Sequence, residues 1–268
     1  MKTFLVKIIS RMLTVFENYL FKQPVNNIKE SLVNRPPPTT RLKSLENNFL
    51  KDGFIRLNSK FIELSELIPM KTEPRGRGGY QLVQFYNQDD INLIANSVIL
   101  NSEIQALLLR SYGMKYSVDY IFSSKNSSFP KNLSSFSIYS NTFHKDMLFS
   151  SNIIKMFVAL EDITELQGPT EWIGKRESMN IKNLSHPEIK FKITEKFIGS
   201  KGDAVLLNPN TNVHRAGVPD ENKTRSQLMI QLNPSKNWST NTRLYERQFS
   251  LEENLPLLRN IGKRINCE

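Results

Sequence analysis

Four residues of this chain have the types and the spacing that metal chemistry needs: His144, Asp146, His214 and Arg225. Two neutral imidazoles and one carboxylate on one face of a metal leave positions open, as in a non-haem iron centre. On an extended strand His144 and Asp146 share a face, so both can bind one metal while Lys145 points away. The spacing therefore predicts a divalent metal site with an arginine that grips an anion in a bidentate way.

The long gap between the His-x-Asp pair and the second histidine indicates which elements position these residues. In a β-sandwich or barrel, strands that are distant in sequence lie side by side. Arg225 begins an alternating apolar run, residues 225–233, which predicts a strand that points the guanidinium into the barrel. A lone His-x-Asp pair is more often a surface or capping pair, and His186 lies in an ordinary loop sequence. The sequence around each of these residues must therefore decide whether they form a metal site.

Those contexts resemble the phytanoyl-CoA dioxygenase family, a branch of the iron(II)/2-oxoglutarate-dependent oxygenases. The resemblance runs in correct order over about residues 45 to 235. It is carried by the segments 45–57, 143–146 (Phe-His-Lys-Asp), 153–163, 168–173 (Gly-Pro-Thr-Glu-Trp-Ile), 202–208 (Gly-Asp-Ala-Val-Leu-Leu-Asn) and 213–217 (Val-His-Arg-Ala-Gly). It implies a mainly β fold with flanking helices around a double-stranded β-helix core of the jelly-roll, cupin-like type.

Carried over residue by residue, the resemblance assigns roles at the site. It implies iron ligation by His144, Asp146 and His214, and it makes Arg225 the partner of the distal 2-oxoglutarate carboxylate. Phe157 matches a bulky aromatic position that lines the co-substrate pocket. If residues 155–159 form a strand, Lys155 shares a face with Phe157, and it is either a second anion contact or a solvated edge lysine.

Two segments depart from the family pattern. Residues 173–178 (Ile-Gly-Lys-Arg-Glu-Ser) replace a Pro-Gly-Ser-His turn, which affects the substrate side rather than the metal. Ala216 stands where some relatives place a hydroxyl that helps to bind the co-substrate. The ligand position that related halogenases leave to a small residue holds Asp146, which favours hydroxylation or another oxidation.

The activity that the resemblance implies uses Fe(2+), 2-oxoglutarate and O2. The expected reaction hydroxylates or otherwise oxidises an unactivated C–H bond of a small or carrier-linked metabolite and releases succinate and carbon dioxide. The alternative is a non-catalytic cupin-like binding module that kept the barrel without the chemistry. An intact ligand set and clamp argue against that alternative.

The amino-acid composition limits which binding partners and which cellular compartment are expected. The chain has 268 residues with 39% hydrophobic content, which permits one large β domain or two smaller ones. Lys plus Arg number 36 against 26 acidic residues, a net charge of +10 that fits an anionic substrate, nucleic acid or an anionic membrane. We expect no specific nucleic-acid partner, because no basic and aromatic cluster or recognition helix is recognisable. The single cysteine, Cys267, excludes an internal disulfide and favours a cytoplasmic protein.

The N-terminal segment, residues 1–24, predicts an amphipathic helix. Charged residues interrupt it too often for a membrane span, and it lacks a signal-peptide cleavage site. The apolar side contains Phe4, Ile8, Met12, Val15 and Tyr19. This side either packs on its own domain or a dimer mate, or contacts a membrane surface with help from Lys2, Lys7, Arg11 and Lys22.

The predicted organisation is a helix and Pro-rich linker (1–41), an oxygenase domain (42–240) and a basic C-terminal tail or helix (241–268). Residues 73–79 predict a glycine-rich loop, either a flap whose Arg75 and Arg77 meet an anionic substrate or an ordinary loop. Further predicted elements are helices at 45–50, at 89–110 with a break near 101–102, and at 251–261, and strands at 54–57, 116–122, 134–139 and 188–194.

Overall fold

The computed structural model describes residues 2–22, 48–146, 150–181 and 194–240. Two mainly antiparallel sheets face each other, and helices cover the outer face of the larger one. The helices are α1 (Lys2–Phe21), α2 (Ile62–Ser65), α3 (Gln88–Ile99), α4 (Ser102–Tyr112) and α5 (Lys175–Asn180), with a further helical turn at 48–52. The strands are β1 (Phe54–Arg56), β2 (Lys71–Arg75), β3 (Gln81–Phe85), β4 (Lys115–Ser127), β5 (Ile154–Ala159), β6 (Glu171–Ile173), β7 (Thr194–Lys196), β8 (Ala204–Leu207), β9 (His214–Arg215), β10 (Thr224–Ser235) and β11 (Ser239–Thr240).

The strand order confirms the predicted double-stranded β-helix. The large sheet runs β1-β8-β5-β10-β4-β3-β2, with β11 added beside β4. The small sheet runs β7-β6-β9, and a bridge between His144 and His214 extends it. Strands far apart in sequence are therefore neighbours, as the wide spacing of the candidate ligands requires.

Strand β10 explains how one run of sequence builds both faces of the large sheet. Leu228, Ile230 and Leu232 are buried in the core beneath the helices. Arg225, Gln227 and Met229 alternate with them and point between the two sheets, where they line a cavity. The alternation that predicted a strand at 225–233 is confirmed, and it continues to Ser235.

The predicted pair of helices at 89–110 is also confirmed, with the break where it was expected. The side chain of Asn87 accepts a hydrogen bond from Asp90 N at the start of α3, and Asn101 accepts one from Ile104 N at the start of α4. Gly113 ends α4 in the left-handed conformation, with φ of 69°. The buried apolar faces of both helices pack on the large sheet. No described helix alone could cross a membrane; only α3 and α4 together, bent by 55°, have enough length and apolar content.

The prediction of a strand at 134–139 is wrong. These residues form turns, because the buried Asn141 binds the backbone around it. Its side-chain oxygen accepts from Ile138 N at 2.6 Å, and its amide group donates to Phe136 O at 3.0 Å. Ser140 takes a positive φ of 63°, which a strand does not permit.

The predictions for residues 73–79 and 188–194 are confirmed only in part. Residues 73–75 belong to β2 rather than to a loop, and the glycine-rich turn is confined to the residues that follow. Of the strand predicted at 188–194, the described part is Thr194, in β7. His186, most of the linker, residues 188–193 and the predicted helix at 251–261 lie outside the described residues. The three domain boundaries stay predictions.

Helix α1 is confirmed, but its predicted apolar side does not pack on the domain. Met12 is 66% exposed, Val15 68% and Tyr19 85%. The opposite side makes the contacts: Ser151 N donates to Thr14 Oγ1 at 3.0 Å, and the Glu17 carboxylate accepts from Ser150 and from Asn152. Phe21 of the helix also packs against the core. The predicted packing of the helix on its own domain is therefore confirmed, but through the side opposite to the predicted apolar side.

Candidate metal and anion site

The structure brings His144, Asp146 and His214 together. The backbones of His144 and His214 bond reciprocally, with N–O distances of 2.9 and 2.8 Å, and Asp146 N donates to Pro209 O at 3.0 Å. These bonds hold the extended His-x-Asp segment against the loop and strand that carry His214. One ligand atom from each of the three residues lies within 4.8 Å of the others. This is the only such cluster of potential ligands in the described parts of the chain.

Backbone carbonyls fix the tautomers of both histidines. His144 Nδ1 lies 2.8 Å from Thr142 O, and His214 Nδ1 lies 3.0 Å from Asn212 O. Because a carbonyl only accepts, each Nδ1 must carry the hydrogen, and each neutral ring keeps a lone pair on Nε2. The two Nε2 atoms lie 3.5 and 3.7 Å from Asp146 Oδ1. The lone pairs and the carboxylate thus converge as metal ligands do.

The charges at this end of the cavity favour a metal-binding state. Burial lowers the pKa of His214 to about 4, so its imidazole is neutral at neutral pH. Burial alone would raise the pKa of Asp146, but the Lys155 ammonium and the two histidines outweigh it and hold that pKa below its usual value. Lys155 Nζ forms an ion pair with Asp146 Oδ2, and the Lys155 side chain is only 14% exposed. Lys155 is therefore not a solvated edge lysine.

Arg225 forms the opposite end of the site. Its side chain is 2% exposed, Nη1 donates to Gly217 O at 3.0 Å, and buried Nε has no hydrogen-bond partner. Among the described residues no carboxylate lies within ion-pair distance of it. Burial lowers its pKa to about 10, which leaves it charged at neutral pH. A buried guanidinium with so few partners fits a site for an anion, since an unpaired buried charge is costly.

Glycine at position 217 allows this clamp to form. A Cβ there would lie 2.3 Å from Pro169 O, and the existing backbone donates from Gly217 N to that oxygen at 3.1 Å. The Gly168-Pro169 segment and the segment after His214 are therefore in direct contact. Their close approach places the carbonyl that holds Arg225.

One cavity of about 470 Å³ joins the two ends. Lys155 and Phe157 lie on the same face of β5 and both line it, as predicted. The register sets Lys155 opposite Gln231 and Phe157 opposite Met229, so Arg225 lies farther along β10, away from Lys155. Phe157 thus stands between the metal end and the anion end.

The segment that departs from the family pattern supports the metal end from behind. Residues 175–180 form α5, and Lys145 points away from the cavity to donate to Ser178 O at 2.8 Å. Ser178 Oγ accepts from Val213 N at 2.9 Å, next to His214. The helix therefore braces both segments that carry candidate metal ligands, a role that the sequence did not indicate.

Several cavity residues were not predicted. Thr170 and Gln227 form a buried hydrogen bond of 2.9 Å, and Arg215 binds Glu171 at 2.7 and 2.8 Å. Strand β4 contributes alternate side chains, Tyr120, Phe122, Ser124 and Asn126. Their spacing of two was a usable signal, because alternate residues of a strand share a face. The Thr170–Gln227 contact joins residues far apart in sequence, so no local pattern marked it.

Comparisons with known proteins place the fold. No family model and no curated protein sequence matches the chain. The epimerase SnoN, solved with Fe3+, alpha-ketoglutarate and nogalamycin RO, aligns with a TM-score of 0.52 and 14% identity over 72% of this chain and 83% of SnoN. A second SnoN structure, described as a non-haem alpha-ketoglutarate-dependent epimerase from nogalamycin biosynthesis, gives 0.51 and 13% over 72% and 80%. These likenesses confirm the predicted jelly-roll fold.

Proposed function

We propose that this protein is an iron(II)- and 2-oxoglutarate-dependent oxygenase of the phytanoyl-CoA dioxygenase branch. One observation carries the proposal. A single cavity holds a His-Asp-His cluster at one end and, at the other, a buried arginine that lacks a carboxylate partner. A metal ion and a dicarboxylic acid supply what these two ends need. The SnoN structure that holds Fe3+ and alpha-ketoglutarate on a similar fold supports the same assignment.

The residues at the two ends of the cavity fit both iron(II) and 2-oxoglutarate. His144, Asp146 and His214 would hold iron(II), since two neutral imidazoles and an ionised carboxylate are its usual ligand set and leave positions open. Arg225 would bind the distal carboxylate of 2-oxoglutarate through a charge-assisted pair. Phe157, between the two ends, would pack against the aliphatic part of the co-substrate. Bound iron supplies the activation of O2 that C–H oxidation requires.

The protein's own contribution is orientation and protection from water. Carbonyls of Thr142 and Asn212 hold the imidazoles in the ligating tautomer, which lowers the reorganisation needed on metal binding. Lys155 keeps the Asp146 carboxylate ionised and oriented, and we propose that its ammonium is also a second anion contact near the metal. Phe157 belongs to a buried apolar cluster with Trp172, and this cluster would exclude water from that wall of the cavity.

We propose hydroxylation, or another oxidation, of an unactivated C–H bond in a small or carrier-linked metabolite. Retention of Asp146 supports hydroxylation, because all three ligand positions are filled by ligating side chains. The similar structure SnoN is an epimerase, so stereochemical inversion is the principal competing outcome. Product analysis by mass distinguishes them, since hydroxylation adds one oxygen and epimerisation adds none.

Anaerobic titration with iron(II) and 2-oxoglutarate tests the proposal. We expect a weak visible charge-transfer band that needs both additions. His144→Ala and His214→Ala should abolish it, and His186→Ala, which removes the chain's third histidine, should leave it intact. A folded wild-type protein that binds neither iron nor 2-oxoglutarate would instead support the non-catalytic binding module.

We further propose that the protein is cytoplasmic and contacts an anionic membrane surface through α1. The outward side of this helix carries Met12, Val15, Phe16 and Tyr19. Its single acidic residue, Glu17, is turned to the domain, where Ser150 and Asn152 bind it. The remaining charges of the segment are basic, and Arg11 and Lys22 are exposed. An apolar face with a basic border suits an anionic lipid surface better than a basic copy of this chain.

Vesicle sedimentation tests this contact. We expect binding to vesicles that contain phosphatidylglycerol, weaker binding to pure phosphatidylcholine, and loss of binding at high salt. Val15→Asp should prevent binding, whereas Ile68→Asp, at an 81% exposed apolar residue elsewhere, should not. A wild-type dimer that Val15→Asp converts to a monomer, without vesicle binding, would show that α1 is a dimer contact and overturn the proposal.

A further inference from the structure

We infer that the substrate carries a carboxylate or phosphate group that Arg75 binds, next to a flat or apolar part that packs on Tyr120 and Phe122. This inference rests on the proposed function, because it concerns the part of the same cavity that the metal and 2-oxoglutarate leave free. It names a substrate class and the residue that selects it.

The geometry of this part of the cavity is well defined. Arg75 ends β2, and its guanidinium carbon lies 5.0 Å from the centre of the Phe122 ring. The rings of Phe122 and Tyr120 stack with centres 6.1 Å apart and planes 10° from parallel. All three side chains line the cavity. A guanidinium that lies over a ring keeps its N–H edges available for an oxyanion.

This aromatic platform, Tyr120 and Phe122, stands beside the metal end. It belongs to β4, which is separated from β5, the strand of Lys155, by β10 alone. Two strand spacings amount to about 10 Å. A substrate whose reacting carbon lies at the metal would therefore extend across β10, cover the platform, and place its anionic group at Arg75, on the far side of the platform.

The charges of the cavity single out Arg75. Its cationic lining residues are Arg75, Lys155, Arg215 and Arg225, apart from the histidines, and Asp146 is its acidic one. Lys155 pairs with Asp146, and Arg215 pairs with Glu171. Arg225 would bind the distal carboxylate of 2-oxoglutarate, so each of these three cations has an anionic partner in the loaded site.

Arg75 is left with a ring contact and, among the described residues, no carboxylate within ion-pair distance. The loaded site therefore keeps an excess positive charge at this position. A cleft with such an excess attracts and orients an anion. A neutral substrate would leave this exposed positive charge without a partner, whereas an oxyanion would form a charge-assisted pair with it.

Probe binding to the loaded protein tests the inference. The protein is saturated with manganese(II) and 2-oxoglutarate and titrated with 1-naphthyl phosphate, 1-naphthoate and the neutral 1-naphthylmethanol. We expect Arg75→Gln to weaken the two anionic probes about tenfold or more and to leave the neutral probe unchanged. The relative losses for phosphate and carboxylate show which anion the site prefers. Phe122→Leu should weaken all three probes.

Lys71→Gln is the matched control, since it removes one positive charge from the same strand outside the cavity lining. It should leave all three probes unaffected. Anion binding that Arg75→Gln does not change, or no probe binding by a normally loaded wild type, would overturn the inference. Failure of the wild type to load 2-oxoglutarate would instead contradict the proposed function, and loading is measured separately.

Discussion

The two ends of the cavity differ in how well the protein balances its own charges. At the metal end, Lys155 compensates Asp146, and backbone carbonyls hold both imidazoles. At the other end, Arg225 is more deeply buried than Lys155 and Asp146 but has a single carbonyl as its described partner. In the function that we propose, the metal end would therefore be prepared before any ligand arrives, whereas a bound carboxylate would complete the anion end. The 2-oxoglutarate molecule that we propose would join the two.

The largest expected effect is at the metal end. His214→Ala removes a ligand from a prepared set of three, and two remaining ligands hold a divalent metal poorly. We expect substrate-dependent release of succinate to fall to background, measured with any substrate found by screening. The control variant His186→Ala should retain full activity. Succinate release that survives His214→Ala would contradict a catalytic metal at this site.

The second-largest effect is expected at Lys155 and concerns the stability of the metal end. Lys155→Met leaves the buried Asp146 carboxylate without its partner, which we expect to lower the free energy of unfolding of the metal-free protein by about 3–5 kcal/mol. A bound divalent metal replaces the lost positive charge, so the loss should be smaller with manganese(II). Urea unfolding with and without metal measures both values.

Lys201→Met provides the control for that comparison. Lys201 pairs with Glu66 on the surface, at 2.7 Å with side chains 40% and 64% exposed. Loss of this ion pair should lower the free energy of unfolding by less than about 1 kcal/mol, with or without metal. Equal losses for the Lys155 and Lys201 variants would contradict the idea that charges at the metal end are mutually compensated.

A third effect concerns pH. The pKa of His214 lies at about 4 in the folded protein against an ordinary value of 6.5, because burial disfavours the charged ring. The unfolded chain therefore binds this proton more readily, and the metal-free protein should lose stability as the pH falls from 6.5 towards 4. The loss from this group is about 3 kcal/mol at pH 4. In unfolding measurements across this range, His214→Gln should show a shallower slope; parallel curves would exclude this contribution.

Much of the fold and part of the site could be predicted from the sequence. The alternation around Leu228 and the interruption near residues 101–102 are local signals, and both gave the correct elements. His144, Asp146, His214 and Arg225 could be selected because few residue types bind metals and oxyanions and because the sequence around them resembles a known oxygenase family. The structure brings all four to one cavity, and their binding roles stay predictions.

Other features depend on contacts that no local pattern encodes. Residues 134–139 have strand-like composition, but Asn141 binds the backbone around them and forces turns. The outward direction of the α1 apolar side depends on where Glu17 finds its partners, more than a hundred residues away. The contact of Phe122 with Arg75 likewise joins two strands separated in sequence. Tertiary contacts, rather than local secondary-structure propensity, determine these three structural features.

The most direct test of the account is calorimetric titration of 2-oxoglutarate into the wild type and into Arg225→Gln, each with and without manganese(II). We predict tight binding only when the metal and Arg225 are both present, with the substitution weakening the metal-dependent binding about a hundredfold. That result would show that one molecule joins the two ends of the cavity. Equal affinity with and without metal, or no effect of Arg225→Gln, would contradict the account.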